Sequence, residues 1–214
     1  MSEVGSTVPD PKAIVARGYD LLADGYLVRF GRSQVRDRWL QELIARVPVP
    51  ARILDLGCGA GVPVARRLVE HGFDVLGVDG SKRQIELARA NVPAGEFIHA
   101  DMTALEFAPA SFDAVAAFYS ITHVPREEHA PLFKRIAAWL RPGGQFLASL
   151  GAGECADWLG LWLGVEMFFS HYDARTYQRL IRAAGLEVQQ ADVVDQDNDD
   201  ARFLWVVARK LHKG

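Results

Sequence analysis

Apolar residues recur three or four positions apart from Lys12 to Phe30, at Ile14, Val15, Tyr19, Leu22, Tyr26 and Phe30. They do so again at Val35, Trp39, Leu43, Ile44 and Val47. That period matches a helix with one buried face and predicts two amphipathic helices ahead of Pro48. Residues 1–11, with Gly5, Ser6, Pro9 and Pro11 and little apolar pattern, read as a loose leader. At Pro50 the texture changes to short apolar runs: strands over 52–56, 73–78, 96–99, 113–118 and 145–150. Helical patterns lie between them, through Val64, Leu68 and Val69, from an N-cap at Ser81 to about Asn91, and over 126–140, ended by Pro142-Gly143-Gly144. Residues 151–172 are aromatic and irregular. A helix over 174–184 follows, then a hairpin of 186–194 with 202–209 around the acidic turn 195–200.

Strand–helix alternation with short connections between 51 and 150 calls for a parallel sheet with helices on both faces. The expected architecture is α/β: a leader and helical cap over 1–50 and a sheet domain over 51–214, one domain overall.

Composition narrows the function classes. The chain has 214 residues, 50% hydrophobic and 24% charged, which excludes wholesale disorder. A net charge of −3 gives no general attraction to phosphate backbones or anionic membranes, so neither a nucleic acid nor a membrane is expected as partner. Two cysteines, Cys58 and Cys155, make no disulfide framework and no CxxC pair. The histidines at 99, 123, 129 and 171 have no metal-cluster spacing, and no metal is expected. No charged-then-apolar signal opens the sequence and no run approaches a membrane span, so the expected compartment is the cytoplasm. The 19 glycines ask for an explanation.

The sharpest feature is Leu54-Asp55-Leu56-Gly57-Cys58-Gly59-Ala60-Gly61, where a strand turns into a helix. Glycines there permit positive φ and bring backbone N–H groups close to a ligand carboxylate, ribose or phosphate. The spacing is G-x-G-x-G, so the G-x-G-x-x-G dinucleotide fingerprint is not met. Asp79 ends the second strand, twenty-two residues after Gly57, where it can accept hydrogen bonds from ribose hydroxyls. Asp101, followed by Met102, ends the third, an acceptor and an apolar face suited to adenine. Asp55 ends the first, where it can meet an ammonium. Each Asp alone is equally well a cap or turn residue; their common position at the carboxyl ends of successive strands beside one glycine loop makes the ligand reading.

LDLGCGAG at 54–61, GVDGS at 77–81, HADM at 99–102, FDAVAAFYSITHVP at 112–125 and RPGGQFLASL at 141–150 stand in the order and spacing of the class I S-adenosylmethionine-dependent methyltransferases, which the chain resembles. The resemblance implies a Rossmann-like, seven-stranded, mostly parallel sheet with an antiparallel last strand inserted beside the fifth. It implies S-adenosyl-L-methionine as cofactor, with the methionine end over Gly57, Gly59 and Gly61. The ribose would lie on Asp79 with Gly80 and Ser81 nearby, and the adenine on Asp101 and Met102, with Phe118 alongside. Gly18-Tyr19-Asp20 and Ala23 to Tyr26 resemble the YDxxAxxY element of small-molecule methyltransferases, whose aromatics help close the cofactor pocket. Tyr19 and Tyr26 are equally well core residues of an amphipathic helix.

Methyl transfer from a sulfonium is an in-line displacement, in which positioning supplies much of the rate and a base is optional. The acceptor site is expected beyond the carboxyl ends of strands four and five. His123 is either a general base or a structural histidine, and His171 is a second base candidate. Tyr119, Trp158, Trp162, Met167, Phe168, Ser170 and Tyr172 are the candidate acceptor-binding residues, with burial against the cap as the bland reading of the aromatics. Asp173 reads as the N-cap of the following helix. The expected function is methyl transfer to O, N or S of a small, largely apolar or aromatic molecule by a monomer or homodimer. A binding module without transfer activity is the alternative, and a nicotinamide oxidoreductase the remote one.

Overall fold

The computed structural model describes residues 10–197 and 200–212. Most of the expected leader, and Asn198 and Asp199 of the acidic turn, lie outside them. Pro11 is not leader: it is the first residue of α1 (Pro11–Phe30), where a missing N–H costs nothing, and Asp10 caps the helix by accepting from Lys12 N at 3.0 Å. Ser33 caps α2 (Gln34–Arg46) through Arg36 N at 3.1 Å.

Alternation then proceeds through β1 (Arg52–Leu56), α3 (Val64–Glu70), β2 (Asp74–Asp79), α4 (Lys82–Asn91), β3 (Glu96–His99), β4 (Phe112–Ala117), α5 (His129–Trp139) and β5 (Leu140–Gly151). A hairpin of β6 (Cys155–Trp162) and β7 (Val165–His171) precedes α6 (Ala174–Ala183), β8 (Leu186–Asp195) and β9 (Arg202–Lys210). The main sheet has seven strands in the order β3-β2-β1-β4-β5-β9-β8. Pairing among β1–β5 is parallel, and β9 runs antiparallel to both β5 and β8. The seven-stranded, mostly parallel sheet is the one expected.

Period-two alternation sorts the core into two layers. Leu54 and Leu56 of β1, with Val115 and Ala117 of β4, face α5 and α6 through Phe133, Ile136, Tyr177 and Ile181. Ile53, Ala114 and Ala116 face α2, α3 and α4 through Leu40, Leu43, Leu68 and Ile85. The chain leaves β1 toward β2 and β3, then returns to the other side with β4. The carboxyl ends of β1 and β4 therefore diverge around a crevice, the usual ligand position in open α/β sheets.

Two elements differ from the sequence reading. The helix expected over 126–140 opens with a single 3-10 turn at Arg126–Glu128, and Pro142-Gly143-Gly144 is drawn into β5 behind a register shift between Phe112 and Ala114. The segment 151–172 is not irregular: β6 and β7 pair antiparallel as a separate two-stranded sheet. Leu163 and Gly164 at its tip have φ of 52° and 83°, the left-handed pair that a two-residue hairpin loop needs. Its residues do not alternate polar and apolar, because the hairpin lies partly against α1 rather than forming a sheet with one wet face. Among the described residues no helix is long and apolar enough to cross a membrane.

Candidate functional site

Gly57, Gly59 and Gly61 all have positive φ, between 52° and 77°. A Cβ on Gly57 would stand 2.2 Å from Ser120 Cβ, so β1 can turn beneath the loop after β4 only with glycine there. The N–H groups do not face outward as expected. Gly57 N and Cys58 N donate to the Val78 carbonyl at 2.7 and 3.0 Å, Gly61 N to Cys58 O at 3.0 Å, and Gly59 N to Asp79 Oδ2 at 2.8 Å. The loop offers a ligand its shape, while Asp79 offers the acceptors.

Asp79 also takes Ser81 N on Oδ1 at 2.8 Å, and burial raises its carboxyl above the usual range. Asp55 is 2% exposed and lines the same cavity, and its Oδ2 has no hydrogen-bond partner. Burial, reinforced by the nearby Asp79 charge, pushes its carboxyl up to about 7. A buried, orphaned carboxylate oxygen at the mouth of β1 suits a ligand ammonium. Asp101 behaves oppositely. Burial would raise it, but Lys12 Nζ at 2.8 Å and Thr103 N at 2.8 Å outweigh that and hold it below the usual range. Lys12 also reaches Glu128 at 3.0 Å, tying the start of α1 to the strand ends.

The cavity has a volume of about 450 Å³ and takes in the three carboxylates, Gly80, Ser81, Met102 and Phe118. Helix α1 roofs it. Asp20 Oδ1 accepts from Ser81 Oγ at 2.6 Å and from Arg83 N at 3.0 Å, at the first turn of α4. Gly18 packs on β7 so closely that a Cβ would stand 2.8 Å from Met167 Cε. This docking turns Tyr19 and Tyr26 into the cavity, with ring centroids 5.5 Å apart, and Trp162 closes beside them, stacked on Phe30 at 5.9 Å.

On the other side stand Tyr119, Thr122, His123, Trp162 and Phe169. His123 Nδ1 lies 2.9 Å from the Phe168 carbonyl, which can only accept, so Nδ1 carries the proton and Nε2 accepts from Tyr19 Oη at 2.8 Å. Burial pulls the imidazole down to about 4, and the ring is neutral. His171 lies apart: with Trp158 it lines a neighbouring cavity, its Nδ1 2.7 Å from the Gly153 carbonyl.

Four expected acceptor contacts line neither cavity. Met167 is fully buried against Gly18; Phe168 is buried and contributes its carbonyl to His123; Ser170 Oγ donates to Asp157 at 2.7 Å and accepts from Arg126 N; Tyr172 packs on His129 and Tyr177. Met167, Phe168 and Ser170 of β7 and Tyr172 beyond it contact protein instead, and Phe169 takes the cavity-facing place. Arg36, Gln196, Phe203 and Lys12, not anticipated from sequence, also line the main cavity. Arg36 and Lys12 read there as ordinary helix-surface cations.

Residues 53–144 match the family model described as a methyltransferase domain. Over 97% of its length the chain is 30% identical to 27-O-demethylrifamycin SV methyltransferase of Amycolatopsis mediterranei, of which 85% is covered. The chain belongs to the class I S-adenosylmethionine-dependent methyltransferases. This methyltransferase is also 35% identical over 75% of its length to the O-methyltransferase cnsE of Penicillium expansum and 30% identical over 75% to phosphoethanolamine N-methyltransferase 1 of Triticum aestivum. It spans only 61% and 32% of those two proteins. The solved 1,6-didemethyltoxoflavin-N1-methyltransferase of Burkholderia thailandensis, with bound 1,6-didemethyltoxoflavin and S-adenosylhomocysteine, shares the fold at a TM-score of 0.76 and 22% identity, with 98% of this chain and 94% of that one covered. S-adenosylmethionine is thus the cofactor, and the orphaned Asp55 oxygen, the buried Asp79 carboxylate and the Asp101–Met102 pair make a donor set that fits it.

Proposed function

We propose that this methyltransferase transfers a methyl group to O, N or S of a small, largely apolar or aromatic molecule by direct in-line displacement. One observation carries the reading: the cavity that holds the row of carboxylates is walled at its other end by Phe30, Tyr119, Trp162, Phe169 and Phe203. When bound, the cofactor supplies an electrophilic methyl on a sulfonium. Asp55 meets its ammonium, Asp79 its ribose hydroxyls, and Asp101 with Met102 its adenine. Tyr19 and Tyr26, held down by the Asp20 contacts, exclude water from the reacting centre. An acceptor that must lose a proton gives it to Tyr19 Oη as Tyr19 passes its own to His123 Nε2, so the pair acts as one base. His171, on the neighbouring cavity, takes no part in that relay. The open, aromatic-walled acceptor space speaks against a binding module without transfer activity.

Calorimetric titration with S-adenosylhomocysteine, followed by methyl transfer assays on aromatic hydroxyl, amine and thiol acceptors, tests the reading. Binding with turnover on at least one class is expected. Binding with no turnover on any class would return the function to a nucleotide-binding module.

A further inference from the structure

We infer that Arg36, in a cavity wall it shares with Tyr119 and Ser33, forms an anion-binding corner that anchors an acidic oxygen of the acceptor remote from the atom that is methylated. The inference rests on the methyltransferase reading of the same cavity and adds a substrate class to it.

Arg36 is 7% exposed and lines the cavity. Its Nη1 and Nη2 donate to the carbonyls of Phe30 and Gly31, each at 2.8 Å, and its Nε has no hydrogen-bond partner. A guanidinium carries five N–H donors, so two neutral carbonyls leave most of its capacity unused. The carboxylates around it are occupied elsewhere. Asp37 Oδ1 lies 3.9 Å from Nε and is shared with Arg67 at 3.3 Å; Asp197 takes Ser33 Oγ at 2.7 Å and the amide of Gln34. Burial opposes the Arg36 charge and draws its pKa down. A buried cation whose hydrogen bonds go to neutral carbonyls, and whose nearest carboxylate stands off at 3.9 Å, is further stabilised by an anion that enters beside it. Tyr119 Oη gives its single proton to Gln196 Oε1 at 2.6 Å, so it shapes the same wall and leaves Arg36 as the donor to the anion.

Position separates this corner from the chemistry. The cofactor carboxylates end β1, β2 and β3, whereas the corner is built on Tyr119 after β4, Gln196 after β8 and Phe203 on β9. From β1 it is one strand spacing, about 5 Å, to β4, which leads into Tyr119, and three, about 14 Å, to β9, which carries Phe203, so the corner extends away from the carboxylates. An anion seated there is an anchor, and the acceptor is an elongated aromatic carrying a carboxylate or an ionised enol or phenol at one end. Aromatic walls between the two ends suit its body.

The test uses protein saturated with S-adenosylhomocysteine, titrated calorimetrically with 2-naphthoate and with its neutral amide, 2-naphthamide. Naphthoate is expected to bind about tenfold tighter or more, and Arg36→Gln to remove that preference by weakening naphthoate alone. Arg36→Lys should keep part of it. Equal affinities in the wild type, a preference that survives Arg36→Gln, or no naphthoate binding at millimolar concentration would each overturn the corner. Should Arg36→Gln fail to fold, the wild-type ratio together with Arg36→Lys decides. Loss of S-adenosylhomocysteine binding by the wild type would instead strike the methyltransferase reading, and the same two titrations on the ligand-free protein would still decide the corner.

Discussion

Tyr19 Oη of the roof helix donates to His123 Nε2 at 2.8 Å, while the other His123 nitrogen is pinned by the Phe168 carbonyl at 2.9 Å. Three segments far apart in sequence thereby fix one tautomer of one imidazole. With its pKa near 4 the ring stays neutral, so the kcat profile is expected to lack a His limb between about pH 5 and 8. Tyr19→Phe and His123→Asn should each lower kcat by about 10- to 100-fold for a hydroxyl acceptor, with S-adenosylhomocysteine affinity changed only a few-fold. Steady-state kinetics alongside calorimetry checks this; unchanged turnover in both variants would leave positioning as the whole mechanism.

Asp55 carries a cost in the ligand-free protein. Its folded pKa of about 7 lies above the ordinary 3.8, so the penalty is full above pH 7, shrinks as pH falls through 7, and is gone below about 4. Asp55→Asn is expected to stabilise the ligand-free protein by about 1–3 kcal/mol at pH 8 and to lose that advantage by pH 4. The same variant should weaken cofactor binding by about tenfold or more, since the charge facing the ammonium is gone. Urea unfolding at several pH values and calorimetry measure the two halves.

The glycine loop makes a paired comparison. Gly57→Ala combines left-handed backbone with a contact of 2.2 Å to Ser120 Cβ, and is expected to cost about 3 kcal/mol or more. Gly59→Ala shares the positive φ but meets nothing nearer than Gln84 Oε1 at 3.9 Å, and should cost only about 1 kcal/mol. Chemical unfolding of both variants ranks them; equal losses would mean that Ser120 yields easily.

His129 is fully buried, its Nε2 2.9 Å from the Val124 carbonyl and its Nδ1 accepting from Tyr177 Oη at 3.1 Å. Burial lowers its pKa from 6.5 to about 4, so the stability of this neutral ring is present above pH 6.5 and is lost as pH falls toward 4. Relative to His129→Gln, the wild type is expected to lose up to about 3 kcal/mol over that interval. Urea midpoints of the two proteins at pH 7 and pH 5 should converge accordingly.

The cofactor half of the site was readable because its parts are local. Gly57, Gly59, Gly61, Asp55, Asp79 and Met102 sit at strand ends that hydrophobic periodicity alone locates, and all of them line one cavity except Gly61, which instead faces Val92 and Ala88. The acceptor half was not. Residues 155–171 form a hairpin in which β6 leaves Leu159 and Leu161 exposed while β7 buries the adjacent Met167 and Phe168, so no polar–apolar alternation marks which side chains point inward. That is why Phe168 and Tyr172 looked like pocket residues and Phe169 did not stand out. Arg36 reads in sequence as one more cation on an amphipathic helix; only the turn at Gly31 and the packing of α2 bury it.

The sequence by itself determined the strand–helix alternation, the seven-stranded sheet and the cofactor, because period, glycine spacing and strand-end carboxylates are properties of contiguous residues. Tertiary structure alone decided which histidine Tyr19 meets, which aromatics face the cavity and where a buried cation waits. Those groups come from α1, α2, the hairpin and the β8–β9 turn, and their meeting depends on how helices and a hairpin pack across the strand ends, which local periodicity does not encode.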